Sequence, residues 1–251
     1  MDPAPEVQIT SSVSTSEPLP VAPQWHSLLL VCFIVLLSAL GSNSQHSVGK
    51  SHRELLYVTT IIIEWLMFAY TYWSIRRSRR ATVREVIGGR WQTPEDFLID
   101  IAFAAGFWVV AVLVLAGLAY GMGLSGPGKA EEAKKVLSFL APQTVREAVL
   151  FGVLCITAGF CEEFIFRGYF QRQFAAAAKN VYVGIAGSAI IFGLGHGYEG
   201  VKRMFLIAVY GLMFGLLAHF RKSLRPGMIA HAWHDGFTGA MLYLASKVKL
   251  P

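Results

Sequence analysis

Long apolar runs alternate with short polar or charged breaks along most of the chain. Positions 101–122 hold no charged residue, and 180–198 hold none besides a histidine. Positions 204–220 are similar, while 55–75 contain a single charge, Glu64. Positions 148–161 are uncharged and continue through a charged but otherwise apolar stretch to 174. A shorter run covers 27–40, and 226–246 carries one acid, Asp235. A spanning helix needs about 20 mainly apolar residues, with roughly 17 as the lower limit. None of these segments shows the strict alternation of a transmembrane barrel strand. The pattern predicts an all-α, polytopic transmembrane helical bundle of about seven spans, the first being the shortest.

Composition removes the main competitor. Of the 251 residues, 54% are hydrophobic and 15% charged, against about 25% charge in soluble domains. Seven apolar helices in a chain of this length leave too little polar surface for a soluble bundle. The net charge of +6 calls for no nucleic-acid partner, because basic loops beside anionic membrane lipids account for it.

The charge pattern also bears on orientation. Arg76, Arg77, Arg79, Arg80 and Arg84 form the densest basic cluster and are expected on the cytoplasmic side. That choice puts the N-terminus inside. Residues 1–25 read as a disordered polar tail, since half of the ten prolines fall before position 24 among many Ser, Thr and Glu. Residues 26–141 read as N-terminal helices and loops. Cys32, Cys155 and Cys161 lack CxxC spacing and suggest neither a disulfide framework nor a zinc knuckle. Gly211 and Gly215 form a small-xxx-small face for close helix contact. Gly193, Gly195 and Gly197 around His196 suggest close backbone approach or a broken helix.

Ionisable groups inside the spans carry the chemistry, because charge in hydrocarbon is costly and is usually turned to the bundle interior for a purpose. Glu162, Glu163 and Arg167 lie in CEEFIFRGYF, His196 in IIFGLGHG, and His231, His234 and Asp235 in GMIAHAWHDG. Glu163 and Arg167 share a helix face and read as an ion pair. Glu162 points about 100° away from Glu163, so the two carboxylates have different roles. His231 and Asp235 also share a face. Rise per residue puts Glu162 about 15 Å and His231 about 9 Å from the nearest basic boundary, but His196 about 25 Å from its own. The mismatch predicts a tilt, a late helix start after Asn180, or a break at the glycines. Glu64 and Asp100 read as isolated, with no catalytic role.

A carboxylate with two imidazoles suggests hydrolysis. The carboxylate can take a proton from water and return it to a leaving amine. His196 and His231 can bind a divalent metal or donate to a developing oxyanion. Asp235 can ligate or hold an imidazole from behind. Spacing leaves these uses open. It also leaves two non-hydrolytic readings, a membrane scaffold or immunity protein and an ion- or proton-coupled transporter. A transporter is expected to show a pseudo-repeat between its halves, and the sequence has none.

Three short motifs then fall in order on separate spans: Glu162-Glu163-xxx-Arg167, Phe192-xxx-His196 and His231-xxx-Asp235. In this the chain resembles the CAAX-protease and bacteriocin-processing (CPBP, abortive-infection-type) family of intramembrane proteases. The resemblance covers the region taken as a domain, 142–247, and puts the catalytic core in the last four spans. It implies a CAAX-type endopeptidase acting on a membrane-tethered or prenylated peptide. Glu162 would activate water, with His196 and His231 across the cavity. Asp235 would stand where many members have Asn, Glu163 and Arg167 would shape the first motif, and Phe192 would pack the helix bearing His196. Members are described both as metalloproteases and as metal-free glutamate proteases, so the implied cofactor is a divalent metal at His196 and His231, zinc first, or none. Bacterial members process peptides or other membrane proteins, and a multi-pass protein of a prokaryotic cell membrane is the expected setting.

Overall fold

A computed structural model describes residues 18–44, 53–126 and 141–247. Most of the expected N-terminal tail, residues 1–17, and the lysines at 129, 134 and 135 lie outside the described residues. Every regular element among the described residues is helical. These are α1 (Gln24–Ser44), α2 (Arg53–Ser78), α3 (Val83–Ile87), α4 (Pro94–Gly121), α5 (Val145–Glu162), a π-helical segment (Glu163–Phe170), α6 (Gln171–Ala178), α7 (Val181–Gly195), a 3₁₀ turn (Gly197–Glu199), α8 (Val201–Arg221) and α9 (Arg225–Lys247).

Local chemistry sets several helix starts. Thr82, Thr93 and Thr144 each accept from a backbone N–H three residues on, and Glu85, Asp96 and Glu147 reach back to the cap. These reciprocal boxes satisfy donors that a helix start leaves open. Asn180 caps α7 by accepting from the N–H groups of Tyr182 and Val183. Glu85 is solvated on α3, and its bonds from the Thr82 backbone and hydroxyl hold its carboxyl below the usual carboxylate range.

Among the described residues, five helices are both long and apolar enough to cross a membrane: Gln24–Gly41, Arg53–Ser78, Pro94–Gly121, Val145–Ala178 and Val201–Arg221. The chain is thus an integral, multi-pass, all-α membrane protein. The other two expected segments are helical but differ from these five. Helix α7 has only 15 residues, about 22 Å. Helix α9 has 23 residues but carries His231, His234 and Asp235, and is not among the five. Lipid-facing character is plain on α4, where only 11% of the most apolar window is buried.

Van der Waals packing and polar contacts between helices, rather than expulsion of water, hold such a bundle together. The core gathers on the π-helical segment, all of whose eight residues are buried. Phe164, Ile165, Phe166, Tyr169 and Phe170 pack there with Leu30, Ile34, Ile75 and Phe192. Helix α5 packs on α2 and α9, and α7 on α6 and α8. Polar cross-links add to this. Gln173 Nε2 donates to the Ala22 carbonyl at 3.0 Å while its Oε1 accepts from Ala22 N–H. Residues 18–23, expected as part of the tail, therefore dock at α6, with Val21 and Ala22 buried. Ser188 donates to the Phe166 carbonyl at 2.6 Å, and Gln171 Nε2 to the Gly215 carbonyl at 3.2 Å.

The glycine pairs work by close approach. A Cβ on Gly211 would stand 2.9 Å from Phe192 Cδ1, and one on Gly215 would stand 2.7 Å from Ile185 Cγ2. Gly159 brings α5 against α9, because a Cβ there would meet the Met228 carbonyl at 2.7 Å and the Ala232 nitrogen at 2.9 Å. That approach comes one helical turn before Glu163 and sets the distance across which the site is built.

Candidate active site

Three helix ends converge. Glu162 closes α5, His196 caps the C-terminus of α7, and His231 lies in the second turn of α9. Immediately after Glu162 the helix widens into its π-helical segment. Such segments are rare and often occur at functional sites.

Glu163 is the hub. Its Oε1 accepts from Arg167 Nη1 at 2.9 Å and from His231 Nδ1 at 3.0 Å. Glu163, Arg167 and His231 are all buried. Arg167 also donates from Nη2 to the Gly211 carbonyl at 3.1 Å, and its guanidinium lies 4.4 Å from the Phe192 centroid and 5.0 Å from that of Phe214. With these contacts the expected Glu163–Arg167 ion pair is present, and it also carries the imidazole.

The other edge of His231 faces two more carboxylates. Nε2 lies 3.6 Å from Glu162 Oε2 and 3.6 Å from Asp235 Oδ2. Adjacent Glu162 and Glu163 therefore meet opposite edges of one ring, as their angular separation requires. The ring stacks on Phe214 at 5.2 Å and stands edge-on to Phe192 at 6.1 Å.

His196 enters by a different route. The carbonyl of Phe192 can only accept, so the 2.9 Å contact to His196 Nδ1 is an Nδ1–H donation that leaves Nε2 as the free nitrogen. The His196 ring lies 5.0 Å from Phe192, so both imidazoles flank one phenyl ring. His196 is also within electrostatic reach of Asp235. Helix α7 runs unbroken from Val181 to Gly195, so His196 follows its last turn directly and precedes the 3₁₀ turn Gly197–Glu199. His234 turns away, its ring 4.9 Å from Tyr210.

Imidazoles whose second nitrogen is anchored on a carboxylate or carbonyl are suited to metal ligation. However, no group of three or more His, Cys, Asp or Glu among the described residues is arranged to hold a metal ion.

Two acids that the sequence left isolated have company. Asp100 accepts from Trp91 Nε1 at 2.8 Å, Arg221 Nη2 at 3.1 Å and Arg225 Nε at 2.9 Å. It ties α4 to α8 and α9 at the boundary. Glu64 is buried on α2, within electrostatic reach of Glu162 and Asp235. Sequence spacing could not pair either acid, since the partners lie on distant helices. The signal that was available is the rarity of a lone carboxyl in an apolar run.

Residues 144–237 match the protein family described as Rce1-like, type II CAAX prenyl endopeptidase Rce1-like. The matched segment runs from the cap of α5 into α9 and includes Glu162, Glu163, Arg167, His196, His231 and Asp235. The match covers residues 144–237 of the 251, and in that segment the chain is similar to this family. No curated protein and no solved structure matches the chain.

Proposed function

We propose that the protein is an intramembrane endopeptidase that hydrolyses a peptide bond in a membrane-tethered or prenylated protein or peptide, with Glu162 as the water-activating base. One observation carries the reading. An imidazole pinned at Nδ1 by Glu163 turns Nε2 toward Glu162 and Asp235, at 3.6 Å from each. Those gaps exceed a direct hydrogen bond and suit an intervening oxygen.

The chemistry follows from that arrangement. Glu162 takes a proton from water as the water oxygen attacks the scissile carbonyl carbon, then gives it to the leaving amine. His231, protonated on both nitrogens, donates from Nδ1 to Glu163 and from Nε2 to the developing oxyanion. Asp235 offsets the imidazolium charge between these steps. His196 has given its Nδ1–H to the Phe192 carbonyl, so its Nε2 accepts from the attacking water and orients it. Arg167 has its donors committed to Glu163 and Gly211 and acts by positioning.

The same reading takes α7 and α9 as the remaining passes of a seven-span bundle, with the site in the last four and domain limits near 142–247. The arginines at 76–84 then face the cytoplasm, as does the N-terminus.

The test is Glu162→Gln, assayed on membrane-tethered peptides with and without a prenyl group. Cleavage is expected to fall by roughly 10²- to 10⁴-fold with thermal stability retained. Unchanged cleavage would remove Glu162 as the base.

A further inference from the structure

A peptide drawn to membrane depth loses the water on its main-chain carbonyls, and leaving one unpaired there is costly. A site that cleaves a peptide at that depth therefore has to offer donors on either side of the scissile bond. Several donors around His231 are already engaged. Arg167 Nη1 and Nη2 bind Glu163 and the Gly211 carbonyl, His196 Nδ1 binds the Phe192 carbonyl, and His231 Nδ1 binds Glu163. Tyr210 of α8 is different. It is only 6% exposed, and its buried hydroxyl has no hydrogen-bond partner among the described residues.

Tyr210 stands beside His231. Its ring centroid lies 6.2 Å from that of His231 and 4.9 Å from that of His234. Phe214, which stacks on His231, lies 4.4 Å from it, and Phe107 of α4 stacks on it at 6.2 Å. The following residue, Gly211, gives its carbonyl to Arg167 and brings α8 close to Phe192. The backbone that carries Tyr210 is thus tied to the same Arg167–Glu163 pair that orients His231. A phenyl ring would pack here as Phe214 does. The hydroxyl adds only the cost of a buried donor unless it meets an acceptor from outside the chain.

We propose that Tyr210 is a substrate-binding residue, whose hydroxyl donates to a main-chain carbonyl of the peptide next to the scissile bond. This rests on the reading of the site as one that hydrolyses a peptide bond. The scissile oxygen is taken by His231 Nε2. Successive residues of an extended peptide are about 3.3 Å apart, so a peptide held at His231 carries a neighbouring carbonyl toward a ring 6.2 Å away. The hydroxyl reads the main chain and is indifferent to the side chain at that position. Its bond is the same before and during the reaction, so it serves affinity rather than turnover.

The experiment uses the full chain in proteoliposomes, with Tyr210→Phe made alone and in a Glu162→Gln background. One probe is a membrane-tethered peptide that wild type cleaves. The others are the same peptide with a trans-alkene in place of one non-scissile peptide bond at a time, over the two bonds on each side of the cleavage point. The alkene keeps the shape and removes the carbonyl. Tyr210→Phe is expected to raise KM by about 5- to 100-fold, as for a carbonyl left buried without a donor. Its kcat should stay within about three-fold, and thermal stability should be retained or raised, since the hydroxyl has no partner in the free protein. In the Glu162→Gln background the dissociation constant of the uncleaved peptide should rise by the same factor. One alkene peptide should bind more weakly than the parent and be insensitive to Tyr210→Phe, the mark of a shared contact.

Unchanged KM and dissociation constant in Tyr210→Phe would overturn the proposal, as would a fall confined to kcat. An equal loss for every alkene peptide would also overturn it, because the hydroxyl would then act on the protein itself. If Glu162→Gln cleaves normally, the proposed base fails instead, and the effect of Tyr210→Phe on KM still decides the role of the hydroxyl.

Discussion

His231 Nδ1 and Arg167 Nη1 both bind one oxygen, Glu163 Oε1, at 3.0 and 2.9 Å. Through that oxygen the π-helical segment fixes the angle of an imidazole on α9. The arginine closes the link by reaching α8 at Gly211. Truncating it breaks a buried ion pair and leaves Glu163 only its contact with His231, which costs about 3 kcal/mol, near the lower end for such pairs. Arg167→Met should therefore lower the unfolding midpoint in detergent sharply, and reduce kcat through loss of ring orientation. Arg167→Lys should rescue little, because an ammonium lacks the planar fork that serves Glu163 and the Gly211 carbonyl together. Thermal unfolding of the three proteins in one detergent checks this, and equal midpoints would refute the role.

Metal use has a separate test. Anchored Nδ1 atoms suit His196 and His231 for ligation, but among the described residues no group of three or more His, Cys, Asp or Glu is identified as a metal-holding cluster. Exhaustive chelation followed by dialysis is therefore expected to leave cleavage within about two-fold of untreated protein, an effect well below one factor of ten in free-energy terms. Elemental analysis of the same sample supplies the second measurement. Loss of activity restored by stoichiometric zinc would assign both Nε2 atoms to a metal and withdraw the donor role of His231.

Asp100 gives a prediction about architecture rather than chemistry. It is buried and accepts from Trp91, Arg221 and Arg225, the last only six positions before His231. Asp100→Ala leaves two guanidinium groups facing each other without their acceptor, and should destabilise the protein by about 3 kcal/mol, near the lower end for a broken buried pair because Arg221 is partly exposed. Asp100→Asn keeps an acceptor for Trp91 and should lose less. Unfolding of the two variants side by side is the measurement, and the predicted order is the point at risk.

The sequence made some of this arrangement legible and hid the rest for physical reasons. Hydropathy located the helices because a bilayer demands long apolar runs, and helical periodicity paired Glu163 with Arg167 and His231 with Asp235. Both pairs are local. What periodicity cannot supply is the partner across the bundle. The bond from His231 to Glu163 links positions 68 apart, and that from Arg225 to Asp100 links positions 125 apart. Glu64 looked solitary for the same reason, since its neighbours are on α5 and α9. Apolar length and span length diverge at the short α7 and the polar α9, where hydropathy alone does not count passes. The π-helical widening after Glu162 leaves no composition signal, because Glu163–Phe170 reads as ordinary helix-forming sequence.

Gly159 tests whether helix approach builds the site. It lies one turn before Glu163, and a Cβ there would stand 2.7 Å from the Met228 carbonyl, 2.9 Å from the Ala232 nitrogen and 3.0 Å from Ala232 Cβ. Two of those atoms are backbone and cannot swing aside, so any side chain must push α9 away from α5. Gly152 sits on the same helix, with nothing within 4 Å of its Cβ position. Gly159→Ala should cost about 1–3 kcal/mol by overpacking, while Gly152→Ala should be neutral or slightly stabilising through helix propensity. A displacement of α9 also widens the 3.6 Å gap between His231 Nε2 and Glu162 Oε2, and misplacement by about 1 Å can lower turnover by roughly 10²-fold. Gly159→Ala should therefore lose kcat at temperatures where it is still fully folded. Retained kcat in a folded Gly159→Ala protein would mean that the α5–α9 approach does not set the catalytic distance.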